Sequence, residues 1–122
     1  MTEKIKTPKE YLISKGIDVT KDGNYKLKSG PFMDLTVEIW KRSDGNIAVS
    51  MCHYGKQNGD LMKDPDILFY IKPDNTIKYL EYQNDYAGYY SEDHKAAKEF
   101  MENTWIPNLI AQGHELVIEI NS

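Results

Sequence analysis

The chain is poor in the residues that most site chemistry needs in pairs. Its one cysteine, Cys52, excludes an internal disulfide, and one cysteine with three scattered histidines gives no zinc-binding spacing. No Gly-rich phosphate loop and no Gly-x-Ser-x-Gly nucleophile elbow is present. No apolar run approaches the roughly 18 residues that a membrane span requires. Residues 1–6 lack the apolar centre of a signal peptide, so a cytoplasmic protein without membrane contact is expected. Repeats, linkers and low-complexity tracts are missing too. The expectation is therefore one domain over residues 1–122, with residues 1–6 as a disordered arm, no catalytic constellation, no metal site and no cofactor.

What remains is the composition of an ordinary folded domain. The net charge of −4 argues against nonspecific binding to nucleic acid, but the charge is unevenly spread. Residues 1–30 carry seven lysines against four acids, whereas residues 31–122 carry eight basic against fifteen acidic residues. A slightly basic leading arm thus precedes an acidic body. Cys52 lies in an apolar pattern and reads as a small buried hydrophobe.

The periodicities define an α+β fold. Thr7 is placed to cap a helix that Pro8 opens, Tyr11 and Leu12 form its apolar face, and Gly16 ends it. Turn formers then surround one short strand at 25–28. Met33, Leu35, Val37 and Ile39 alternate with polar residues and with Trp40, the period of two expected of a half-buried strand. A turn at 43–46 leads to Ile47, Val49 and Met51, and the same parity puts His53 on their face. Ile67, Phe69 and Ile71 repeat the pattern, and Pro73-Asp74-Asn75 turns the chain into a strand at 77–82. These segments predict an antiparallel β-meander of about four to five strands, with an N-terminal and a C-terminal helix packed on one face. Ser91 is the expected N-cap of the second helix, whose buried side carries Ala97, Phe100, Met101, Trp105 and Leu109. Pro107 must kink or interrupt that helix, and Gly113 ends it. A short extra strand is expected within residues 114–122.

Two segments stand out as candidate sites, residues 55–66 and 83–90, both read as loops. The first follows His53 and Tyr54 and contains Gln57, Asn58, Asp60, Asp64 and Asp66 beside turn formers. The second, with Tyr82, Asp85, Tyr86 and Tyr90, is tyrosine-rich in an acidic setting, which suits a protein partner better than nucleic acid. His53, Tyr54, Gln57, Asn58, Asp60, Asp64, Tyr82, Asp85, Tyr86 and Tyr90 together make a candidate binding rim. His94 and His114 read as exposed. In an up-and-down meander the strands that precede the two loops run the same way, so both loops belong at one end of the sheet. The alternative is a small metal-dependent hydrolase using His53 with the carboxylates of Asp60, Asp64 and Asp85.

His53-Tyr54, the string Gln57-Asn58-Gly59-Asp60-Leu61-Met62-x-Asp64-Pro65, and Tyr82-Gln83-x-Asp85-x-x-Gly88-x-Tyr90 resemble the motifs of a family of small proteins of unknown function. The resemblance runs from about residue 7 to residue 113. Members of that family look like accessory proteins of bacterial conjugative elements and phages. The resemblance implies a mobile-element context and two segments that act together, and brings no activity with it. On this basis the expected function is that of a non-enzymatic binding protein acting on a protein partner. The sequence does not set its oligomeric state.

Overall fold

A computed structural model describes residues 5–30, 32–57, 60–84, 89–91 and 94–120. In chain order the elements are α1 (Pro8–Ser14), β1 (Gly23–Ser29), β2 (Phe32–Lys41), β3 (Ile47–Gln57), β4 (Asp60–Ile71), β5 (Ile77–Asn84), β6 (Tyr89–Ser91), α2 (His94–Phe100), a π-helical turn (Met101–Trp105), α3 (Ile106–Gln112) and β7 (Glu115–Ile120). The strands form one sheet in the order β6-β5-β4-β3-β2-β1-β7, and every pairing is antiparallel. The fold class is α+β, as expected, but the sheet has seven strands rather than four to five. β6 and β7 lie at its two edges; β7 falls within the segment 114–122 read as an extra strand, whereas β6 was not foreseen. β6 was hidden because a strand of three residues shows no periodicity, and Ser91 lies within it rather than capping a helix.

One face of the sheet is covered by helices. Leu35, Val37 and Ile39 of β2 meet Val49 and Met51 of β3 and Ile67, Phe69 and Ile71 of β4 in one buried cluster. The same cluster takes in Tyr11 and Leu12 of α1 and Ala97, Met101, Trp105, Ile106 and Leu109 of the C-terminal helical run. Phe100, half-buried, packs against it. Ile5 also packs against it, which takes that residue out of the expected disordered arm; residues 1–4 lie outside the described residues. Met33, given the same parity as Leu35, is 39% exposed, because it precedes the point where β2 begins to pair with β3.

On the face without helices, Trp40, Ala48, Tyr70 and Lys78 form one cross-strand row. Ala48 is fully buried there between two aromatic neighbours, while Trp40 is 38% exposed. Cys52 is buried on this face as well, in keeping with its reading as a small hydrophobe.

The local chemistry sets the ends of the elements. The Thr7 hydroxyl accepts a hydrogen bond from the Glu10 N–H (3.2 Å), and the Glu10 carboxylate accepts one from the Thr7 N–H (3.1 Å). This reciprocal box satisfies two orphan donors of a helix only seven residues long. Gly113 ends α3 with φ at 73°, a left-handed conformation that glycine adopts without a Cβ penalty.

Pro107 perturbs the helix as expected, and the structure shows how. Proline has no N–H to give the carbonyl of Asn103, and its ring would meet that carbonyl in a regular α-turn. The helix widens instead over residues 101–105, and the Ile106 N–H reaches back to the Met101 carbonyl. Met101, Trp105 and Ile106 are all buried as a result.

Candidate functional site

The segment 55–66 is not a loop. β3 continues to Gln57, β4 starts at Asp60, and these two residues face each other across the hairpin. The only residues between them are Asn58 and Gly59, which lie outside the described residues. The sequence was read as a loop because its carboxylates and Pro65 break the apolar alternation. Alternation is demanded only of a strand with one face on a core, and this part of the hairpin has left the sheet.

The register shows the departure. The last residue of β3 that pairs with β2 is His53, opposite Leu35, and the last of β4 that pairs with β5 is Asp66, opposite Gln83. Beyond these points residues 54–57 pair with residues 60–63 and with no other described strand. The result is a two-stranded ribbon that runs about 13 Å past the sheet, at roughly 3.3 Å per residue.

A β-bulge forms its base. Cys52 pairs with Asp66 and Tyr54 with Lys63, so Asp64 and Pro65 together oppose His53. A proline cannot donate to the ladder and is tolerated in a strand at such a position. The Asp64-Pro65 pair therefore makes the bend that separates ribbon from sheet.

Under the bulge lies a buried polar cluster. His53 is 6% exposed and His114 fully buried, contrary to the reading of His114 as exposed. His53 Nδ1 lies 3.0 Å from the carbonyl oxygen of Asp34, and His114 Nε2 lies 2.9 Å from that of Met33. A carbonyl only accepts, so both of these ring nitrogens donate, which fixes the orientation of each ring. The two imidazoles thus hold adjacent carbonyls at the start of β2, with ring centroids 5.4 Å apart. Trp105 stands edge-on to His53 at 5.4 Å. Neither Trp105 Nε1 nor His114 Nδ1 has a hydrogen-bond partner among the described residues.

The ring contacts extend to the second segment. Tyr82 of β5 stacks on Phe100 at 4.7 Å, Phe100 lies 6.1 Å from Trp105, and Trp105 meets His53. A continuous file of rings links Tyr82 to the base of the ribbon. Sequence reasoning missed Phe100, Trp105 and His114 as parts of this arrangement, because the first two have the spacing of core residues and His114 read as exposed.

The remaining rim residues divide by position. Tyr54, Gln57, Asp60 and Asp64 belong to the hairpin strands, and Tyr90 belongs to β6 opposite Gln83. The segment 83–90 is again partly strand, since β5 runs on to Asn84 and pairs with β6. Asn58, Asp85 and Tyr86 lie outside the described residues. β3 and β5 run the same way through β4, so Gln57 and Asn84 are at the same end of the sheet, as the meander argument requires. The ends are staggered along that direction, with the ribbon reaching further.

Among the described residues no group of three or more His, Cys, Asp or Glu side chains is placed to hold a metal ion. No helix among them is long and apolar enough to cross a membrane. A family described as "Domain of unknown function (DUF6908)" matches residues 10–115. Comparisons with curated proteins and with solved structures find no match.

Proposed function

We propose, from the premise that this chain belongs to the DUF6908 family, that it is a small non-enzymatic binding protein that modulates a protein partner of a mobile genetic element. The observation that carries the reading is the ribbon. Its backbone donors and acceptors beyond His53 and Asp66 are not taken up by neighbouring described strands, and it rises from a bulge seated on buried rings. A projecting hairpin on a rigid base suits recognition by strand pairing and side-chain contact. Gln57, Asp60 and Tyr90 are the residues whose positions best fit that contact. The mobile-element context rests on the resemblance of the two motif segments.

A photo-crosslinking amino acid placed at Gln57 or at Tyr90 tests this in a bacterial lysate, with Trp40 on the opposite region of the sheet as control. The expected result is one discrete adduct from the first two positions and none from Trp40. Asp60→Ala should abolish that adduct while leaving the melting temperature unchanged. Identical adducts from all three positions would refute a ribbon-centred interface. The alternative is a metal-dependent hydrolase using His53 with the carboxylates of Asp60, Asp64 and Asp85. A divalent ion bound there would raise the melting temperature with the logarithm of its concentration once that exceeds its Kd.

A further inference from the structure

A second surface, on the other side of β5, has the opposite charge character. β6 pairs only with residues 82–84, so among the described strands none lies along the outer side of residues 77–80. A hollow of about 460 Å³ opens there, lined by Lys72, Thr76, Ile77, Lys78, Tyr79, Lys95 and Lys98. Consecutive residues of a strand point to opposite faces. Lys78 and Tyr79 can border one hollow only where it lies at the strand's edge. The hollow is therefore an open sheet edge, with the β4–β5 turn at one end and α2 as its wall.

Its charge is concentrated. Four of the eight basic residues that follow residue 30 line it, in a stretch of chain with nearly twice as many acids. Lys72, Lys78 and Lys98 make no ion pair with any described residue. Glu99 and Glu102 border an adjoining hollow with Lys95 and Lys98, and two carboxylates of the neighbourhood accept hydrogen bonds from neutral donors. Glu102 accepts the Tyr79 hydroxyl at 2.8 Å, and Asp74 accepts the N–H and hydroxyl of Thr76 at 3.0 and 2.6 Å. Lys72 and Lys78, on the strand side, add positive charge that no described ion pair balances, an excess that a bound anion relieves.

We infer that the edge of β5 over residues 77–80 is a docking site for an extended acidic segment of a partner protein, added as a further strand beside β5 and clamped by Lys72, Lys78 and Lys98. The main-chain groups of the edge would supply the pairing and the lysines the preference for carboxylates. Nucleic acid fits less well. Stacking on a strand needs accessible rings, and the ring in this hollow, Tyr79, is 3% exposed with its hydroxyl bonded to Glu102. A second copy of this chain fits worst, because edge-to-edge pairing would bring two sets of lysines together.

The surface is distinct from the ribbon, so the two proposals fail independently. The test is titration of the full chain, followed by amide NMR, with a short peptide alternating glutamate and valine. Controls are the same peptide N-methylated at alternate residues, a lysine–valine peptide, and an oligothymidine of equal charge. The expected result is a shift of the Ile77, Lys78, Tyr79 and Leu80 amide signals by the glutamate peptide alone. Lys78→Glu with Lys98→Glu, both on exposed positions, should weaken binding roughly tenfold or more, while Asp60→Ala should leave it unchanged. Equal binding of the N-methylated peptide would overturn strand addition. Tighter binding of oligothymidine, indifference to the lysine reversals, or no binding at millimolar peptide would overturn the site as described.

Discussion

Replacing Phe69 by alanine tests the arrangement on which both surfaces depend. Phe69 is fully buried on β4, opposite Val49 of β3 and Tyr79 of β5, with the Tyr79 ring 6.0 Å away. Truncation leaves a cavity bounded by strands on both sides and by the helical layer, with little room to collapse, so about 3–5 kcal/mol should be lost. A domain of this size has about 5–15 kcal/mol in total. At roughly 4 °C per kcal/mol, the melting temperature should fall by about 12–20 °C. Trp40 is the proper comparison, since it is also aromatic and mid-strand but lies on the face without helices and is 38% exposed. Trp40→Ala should cost about 1–2 kcal/mol by partial loss of buried area. Urea unfolding of both variants, followed by far-ultraviolet circular dichroism, measures the two values directly. If Trp40→Ala costs as much as Phe69→Ala, the assignment of the covered and uncovered faces is wrong.

Other predictions follow from single contacts. Thr7→Ala should destabilise the chain by about 1 kcal/mol through loss of the capping box, measurable by the same unfolding experiment. The Glu10 carboxyl is held below its ordinary pKa of 4.5, chiefly by the Thr7 hydroxyl; the stability it contributes is present above that pKa and fades as pH falls through the lowered value, a fade that Thr7→Ala should blunt. Burial, and then the bond to Glu102, raise the Tyr79 phenol well above 10, so its contribution is complete below pH 10 and is lost as pH rises past it, and Tyr79→Phe should flatten that alkaline loss. In Trp40→Phe the remaining indole, Trp105, is 3% exposed and should emit at short wavelength and resist acrylamide quenching; a red-shifted, readily quenched emission would place it outside the ring file.

The sequence revealed this fold wherever a face had to be buried. Leu35, Val37 and Ile39 alternate because one side of β2 meets helices, and that constraint makes parity readable. The caps at Thr7 and Gly113 were equally plain, because each answers a local backbone demand. The ribbon was not legible for the same physical reason in reverse. Residues 54–57 and 60–63 pair only with each other among the described strands, so no periodicity is imposed on them, and turn-forming residues could be read only as loop. His114 was hidden because its burial depends on the carbonyl of Met33, 81 residues earlier in the chain. The candidate rim was thus found by its unusual composition, whereas its foundation under the bulge required the fold.

The pairing of β7 with β1 bears on the order in which the molecule assembles. From β1 to β6 each strand pairs with the one next in sequence, so these pairings can form as soon as a short connection closes. β7 is the exception, for it joins Lys26 to Ile118 across nearly the whole chain. Loop closure over that span costs more entropy than any hairpin here, though the penalty grows only logarithmically with length. The meander can therefore form first, with the outer edge of β1 open until the C-terminal helical run has docked and delivered β7 to it. During that interval β1 is an unpaired edge beside a half-built core, the state most prone to pairing with another chain. The last strand then serves as a lock as much as a structural element: it seals the edge of β1 that the meander leaves open.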